Sequence, residues 1–160
     1  MSTFELEAVD RFVVGTIGMP GERTFFFQVA APRVLLSFKA EKVQVVALVD
    51  ALSKMLKDIP PASTQEPPAT WSPLDLPVFN EWPVGSIGIG YEGTTDRLVI
   101  VLEEMTQTGE DSSEARFFLT RPQAVTFANN ARSIVSAGRP TCVLCSASID
   151  TDGYTCACYN

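Results

Sequence analysis

All four cysteines of the chain fall in its last nineteen residues, Cys142 and Cys145 as a C-x-x-C pair and, after ten intervening residues, Cys156 and Cys158 as a C-x-C pair. Two close thiol pairs joined by a short loop can converge on one tetrahedral ion, which predicts a zinc site. Four thiolates saturate that ion and leave no position for water or substrate, so the expected role is structural. Asp150-Thr151-Asp152-Gly153 is the turn that would return the second pair to the first. The tail after Gly138 has few apolar residues with which to order itself. Metal binding would supply that order, since structural zinc in small peptides is worth about 10–16 kcal/mol apparent. Three alternatives stand beside this one. Asp150 or Asp152 could complete the shell in place of Cys158. The four thiols could form two disulfides, in any of three pairings. Cys142 and Cys145 could be a redox pair, although a thioredoxin-type C-x-x-C opens a helix after a strand, and this one follows a helix end and Pro140.

Histidine is absent from the chain, which removes the Ser-His-Asp triad, the Cys-His dyad and every histidine-based catalytic zinc. Glu103 and Glu104 are adjacent on a strand-like run, so their carboxylates point to opposite faces and cannot pair. Gly85, Gly88 and Gly90 sit in a strand pattern with no helix after it, unlike a dinucleotide loop. Gly18-Met19-Pro20-Gly21 lacks the helix start and Lys-Ser/Thr ending of a phosphate loop and reads as a hairpin turn. The remaining candidates are polar residues beside the first sheet: Arg11, Arg23, Gln28, Glu41 and Lys42. Of these, Arg23, Glu41 and Lys42 are the expected ligand-binding residues if a pocket forms where two repeats meet. The structural alternative is that Glu41 favours a helix N-terminus and Arg23 makes a surface ion pair.

These side chains must be positioned by a chain that repeats itself. Val14-Gly15-Thr16-Ile17-Gly18 recurs as Val84-Gly85-Ser86-Ile87-Gly88. After the first copy come two strand-like runs, residues 23–30 and 33–39, parted by Ala31-Pro32, and then a helical stretch over 41–58. Val43, Val46, Ala47, Val49, Leu52 and Leu56 are expected to line its buried face. After the second copy, residues 96–105 and 114–120 read as strands, and a helix starts at Pro122, a residue suited to a first helical position. Its expected face is Ala124, Val125, Phe127, Ala128, Ala131, Ile134 and Val135, with Gly138 as C-terminal cap. Setting Val43 over Val125 and Leu52 over Ile134 puts the two helices in one register.

The predicted fold is therefore α+β: two β-β-β-α repeats, about 11–58 and about 84–138, in one domain over 1–138, followed by a cysteine-rich zinc-binding tail over 139–160. Either repeat alone would be marginal at its size, so the two are expected to fold as a unit. The connector, 59–83, holds seven of the eleven prolines and reads as an extended loop. It also carries Trp71, Leu74, Leu76, Val78, Phe79 and Trp82, more apolar material than a flexible linker needs. That segment is expected to lie against the body or against a second subunit.

The chain has 160 residues, 46% of them hydrophobic, with a formal net charge of -7. That charge argues against general nucleic-acid binding, which needs a concentrated basic face. Between Glu92 and Glu114, Arg97 stands alone among seven acids, which reads as a solvated acidic edge. No run approaches the roughly 20 apolar residues of a membrane span, and MSTFELEAVDRF lacks the pattern of a secretory signal. A cytoplasmic location is expected, where clustered cysteines hold metal more often than disulfides. These features together favour a non-catalytic binding or adaptor module with a protein partner or a homodimer. A small enzyme or metabolite-binding protein with a polar pocket at the repeat junction is the other reading.

The segment RFVVGTIGMPGERTFFFQV, with EKVQVVALVDAL and the tail GRPTCVLCSASIDTDGYTC, resembles the largely actinobacterial family known as domain of unknown function 3090. That family ends in C-P-x-C-G followed by D-P-x-G-H-x-C. The resemblance implies that Cys142, Cys145 and Cys156 take the places of the family cysteines. Tyr154 stands where the family has histidine, Val143 and Ser146 replace the Pro and Gly of the first pair, and Cys158 is extra. Cys158 could take the fourth ligand position that the histidine would have filled. The family carries no assigned activity, so the resemblance implies fold and tail but no reaction.

Overall fold

The computed structural model describes residues 3–19, 21–62 and 64–137. Seven strands and two helices follow one another among them: β1 (Thr3–Leu6), β2 (Arg11–Ile17), β3 (Thr24–Ala31), β4 (Val34–Ala40), α1 (Lys42–Asp58), β5 (Val84–Glu92), β6 (Arg97–Glu104), β7 (Glu114–Leu119) and α2 (Arg121–Ser136). The architecture is α+β with two sheets, β2-β3-β4 and β1-β7-β6-β5. Each sheet contains a three-strand antiparallel meander that runs directly into a helix. Strand β1 is the addition: it pairs in parallel with β7, Thr3 opposite Glu114 and Leu6 opposite Phe117. Nothing in its four residues, two of them polar, announces a strand. The cysteine tail and the proposed Gly138 cap lie outside the described residues.

Alternation along the strands selects the buried face. Phe25, Phe27 and Val29 on β3, Leu98, Ile100 and Leu102 on β6, and Ala115, Phe117 and Leu119 on β7 are buried at every second position, as a pleated strand with one core face requires. Both sheets and both helices contribute to one contiguous core. Helix α2 packs on α1 and on β2, while α1 also reaches β5, so each helix meets the first strand of the other meander. The aromatic centre follows this crossing. Phe12 of β2 stacks on Phe127 of α2 at 4.3 Å between ring centroids and lies 4.8 Å from Phe117 of β7.

Both helices begin in the same way. The Glu41 N–H donates to Gln44 Oε1 at 2.8 Å, and the Thr120 N–H donates to Gln123 Oε1 at 2.9 Å. In each case a glutamine three residues into the helix pairs a backbone donor that the helix leaves free. The same glutamines then bridge outward: Gln44 Nε2 donates to the Val84 carbonyl at 2.9 Å, and Gln123 Nε2 to the Val9 carbonyl at 2.7 Å. Each helix start is thus tied to the chain entering the first strand of the opposite meander.

These caps also correct the helix register. The buried residues of α1 are Val45, Leu48, Val49 and Leu52; those of α2 are Ala124, Phe127, Ala128 and Ala131. The two sets match position for position when Glu41 is set on Thr120, a shift of three residues from the match of Val43 with Val125. Val43 is 72% exposed, and Val46, Ala47 and Val125 also face outward. At about 100° per residue, Val43 lies roughly 200° round the helix from Val45, and only one stripe can meet the sheets. The valine-rich start of α1 hid this, because apolar residues occupy both sides of its first turns.

The connector lies over the outer face of the β2-β3-β4 sheet. Arg11 Nη1 donates to Ser72 Oγ at 2.6 Å and to the Pro73 carbonyl at 3.0 Å, and its guanidinium also pairs with Asp75. Farther along, the Glu81 N–H donates to the Ser37 carbonyl at 2.8 Å and the Lys39 N–H to Asn80 Oδ1 at 2.9 Å, which lays the segment beside β4. Trp82 is buried against Phe38, 4.5 Å between rings. Leu74 sits so close over β2 that a Cβ on Gly15 would come within 2.4 Å of its Cγ, which accounts for the first glycine of the repeated motif. In the second copy, a Cβ on Gly85 would meet the Met105 backbone at 2.8 Å. The same residue type serves two different close approaches.

Candidate ligand-binding site

The β5–β6 turn, the N-terminus of α2 and the first part of the connector converge on one cavity. Asp96 closes the turn with φ of 54°, a left-handed conformation that aspartate tolerates better than most residues. Its carboxylate accepts from Arg121, the first residue of α2: Nε lies 3.0 Å from both oxygens and Nη2 lies 2.7 Å from Oδ1. The Tyr91 hydroxyl donates to the same Oδ1 at 2.6 Å, and the Arg121 guanidinium stands 5.9 Å over the Tyr91 ring centroid. Arg121 Nη2 also donates to the Pro60 carbonyl, so the pair anchors the start of the connector. Arg97 adds a second ion pair, Nη1 donating to Glu66 Oε1 at 2.8 Å and to the Asp96 carbonyl at 3.2 Å. Thr126 Oγ1 reaches the Ala69 carbonyl at 3.3 Å and fixes the connector to α2 from the other side.

These pairings set the protonation states. Hydrogen bonds from Arg121, and then from Tyr91, hold the Asp96 carboxyl below the usual carboxylate range. The hydrogen bond to Asp96 raises the Tyr91 hydroxyl above its ordinary value and does the same for the Arg121 guanidinium. Asp96 therefore stays anionic, and Tyr91 and Arg121 stay protonated, across the neutral range.

Between the ion pairs and the connector the walls stand apart, leaving a cavity of about 390 Å³. Glu66, Asp96 and Arg121 form its charged side, and Ala62, Pro68, Ala69, Pro122 and Val125 its apolar side. Glu66 Oε2 is buried and has no hydrogen-bond partner among the described residues. The outward turn of Val125 has its explanation here, as part of this wall.

The residues singled out from sequence lie elsewhere. Phe25 and Ala40 are register partners, so Arg23 and Lys42 stand at the same end of the first sheet. Arg23 donates to the Ile134 carbonyl at 3.3 Å and covers the Phe25 ring, while Glu41 precedes α1 and Lys42 is its exposed first residue. None of the three lines the cavity under the connector. Cys142, Cys145, Cys156 and Cys158 lie outside the described residues, and no group of three or more potential metal ligands occurs among the residues described. The ion pairs at the cavity join positions 25 and 31 residues apart in sequence, which no local motif reveals. The one trace of them is Arg97, isolated among acids. Asp96, counted as part of a solvated acidic edge, is in fact held by Arg121.

No helix among the described residues is long and apolar enough to cross a membrane. The family model described as "Protein of unknown function (DUF3090)" matches residues 4–156, nearly the whole chain. The chain belongs to that family. No curated protein and no solved structure gives a match.

Proposed function

We propose that this chain is a non-catalytic binding module that holds a small ligand in the cavity between the connector and the N-terminus of α2. The observation that carries this reading is the construction of the cavity: two ion pairs brace three separate segments around about 390 Å³ of space. That volume lies in the range of small-molecule sites, which join a mostly apolar lining to a few fixed polar groups. Binding is favoured over catalysis because the shifts of Asp96 and Tyr91 run away from neutrality, whereas a general acid or base works best with a pKa near the operating pH. The test is a thermal-shift screen of small polar compounds on the parent chain and on Val125→Phe, whose ring would fill the cavity from an exposed helix position. Compounds should raise the melting temperature of the parent and leave the variant unmoved. Equal shifts in both proteins would sink the reading.

For the C-terminal tail the proposal is one structural zinc held by Cys142, Cys145, Cys156 and Cys158. The spacing of the pairs supports it, as does a family match that runs through Cys156. Such a site suits the cytoplasm, where thiols stay reduced. Purified protein should carry about one zinc per chain. Cys142→Ser and Cys156→Ser should each lose it while the melting of the α+β body stays close to that of the parent. Absence of metal together with two disulfides in mass spectra would overturn this assignment.

A second reading, an adaptor that pairs with itself or another protein, is favoured by one observation. Leu76 and Phe79 are 73% and 75% exposed on a connector that is otherwise pinned down, with Trp71 and Ile17 also partly exposed. Light scattering should then report a dimer that Trp71→Ala weakens; a monomer at all concentrations removes the self-pairing form of this reading.

A further inference from the structure

We infer that the apolar groove between β2, the connector and the last turn of α2 is filled by this chain's own tail, with Val143 and Leu144 as the inserted side chains. The groove holds about 460 Å³ and is lined by Ile17 of β2, Trp71, Leu74 and Leu76 of the connector, and Ile134 of α2. It shares no lining residue with the cavity beside Arg121. Ile17, Trp71 and Leu76 are 40%, 38% and 73% exposed, so hydrocarbon at this place stands open to water. Thr16 supplies the one polar side chain among the described residues of the lining. Small-molecule sites add several fixed polar groups to an apolar wall; a wall almost without them fits the aliphatic side chains of a polypeptide.

Position, composition and charge name the occupant. Ile134 lies near the end of α2, and the chain runs on from Ala137, three residues later, so the tail starts about one helical turn from the groove. Val143 is six residues beyond Ala137, a reach of at most about 20 Å. A tether this short holds the tail at an effective concentration on the order of millimolar, which a second copy in dilute solution does not match. Between residues 138 and 160, Val143 and Leu144 are the only adjacent aliphatic residues. Arg23 marks the rim: Thr24 pairs with Ile17, and the Arg23 guanidinium donates to the Ile134 carbonyl at 3.3 Å, so its charge stands between two residues of the lining. Arg23 has no carboxylate partner among the described residues. The tail sets Asp150 and Asp152 against Arg139 alone, an acidic balance that complements this cation. The docking goes beyond the zinc reading of the tail and does not require it.

The test is methyl-labelled NMR on the full chain. Nuclear Overhauser contacts from the Val143 and Leu144 methyl groups to those of Ile17, Leu74 and Ile134 are expected within one molecule, and Leu144→Asp should abolish them. The same variant should shift the indole N–H resonance of Trp71 and leave that of the buried Trp82 in place, a split that general unfolding cannot produce. In Ile149→Asp, which alters another aliphatic residue of the tail, the contacts should survive. Groove methyl groups that contact nothing in residues 138–160 would overturn the docking. So would contacts that run between molecules in a mixture of labelled and unlabelled chains, which would make a second copy the occupant. Zinc content is measured on the same samples and read separately. Zinc without these contacts overturns the docking and leaves the metal site standing; the contacts without zinc do the reverse.

Discussion

Replacing Phe127 with alanine should lower the free energy of unfolding by about 3–5 kcal/mol, the usual range for a fully buried phenylalanine. Its ring is 1% exposed, stacked on Phe12 at an interplanar angle of 18° and within 6.1 Å of Phe27. Phe12 in turn contacts Phe117. The four rings come from β2 and β3 in the first half and from β7 and α2 in the second, so the cavity left by Phe127 opens at the joint between halves and neighbours on both sides lose contacts. Against a total of about 5–15 kcal/mol for a domain of this kind, the loss is a large fraction. Urea unfolding followed by fluorescence and by circular dichroism should show one coincident transition, its midpoint lowered and its slope unchanged. Val43→Ala is the control: that side chain faces solvent, and its loss should fall within about 0.5 kcal/mol. Two separated transitions in the parent, one for each meander, would defeat the argument that the halves share a core.

The reason this argument can be made for Phe127 and not for Val43 marks how far the sequence could be read. Strand positions and the repeated VG-x-IG are legible, because the richness of RTFFFQVA and RLVIVLEE in aromatic, valine and leucine residues is a local property of the chain. Both meander-and-helix units follow from it in the right order. The helix faces were legible only in part. In α2, where polar residues separate the apolar ones, six of seven expected positions point inward or lie half-buried; in α1, where valines crowd the first turns, Val43, Val46 and Ala47 do not. The caps would have decided it. Glu41 with Gln44 and Thr120 with Gln123 are the same motif at the same place, and they set the register that burial confirms.

The site was the least legible part. Asp96, Arg121, Glu66 and Arg97 come from a turn, a helix start and a proline-rich connector, and only the fold makes them neighbours. Arg23, Glu41 and Lys42 stood out because they flank strong secondary-structure signals, which is where helix starts and surface contacts also draw polar residues. Strand β1 is hidden in the sequence for a related reason. Four residues with alternating polar and apolar side chains are too few to show a period, and their pairing partner, β7, is more than a hundred residues away.

Gln28→Leu should lower stability by about 2–4 kcal/mol, and the manner of the loss is as informative as its size. The Gln28 side chain is fully buried, yet it is amply paired: Oε1 accepts from the Asp75 N–H at 2.7 Å and from Arg11 Nη2 at 3.3 Å, while Nε2 donates to Ser37 Oγ at 3.0 Å and to the Asp75 carbonyl at 3.2 Å. Leucine fits the volume but returns none of these bonds, and a buried group deprived of its partner loses about 1–3 kcal/mol. The protein has one way to limit that loss. If the connector lifts from the sheet, water reaches Asp75, Arg11 and Ser37, and the penalty is capped at the free energy with which residues 71–81 are docked. The variant should therefore melt lower, and its connector should also become the first point of attack by a protease while the two meanders and both helices remain intact. Melting like that of the parent, with cleavage no faster between residues 64 and 80, would show that the connector is not held through Gln28.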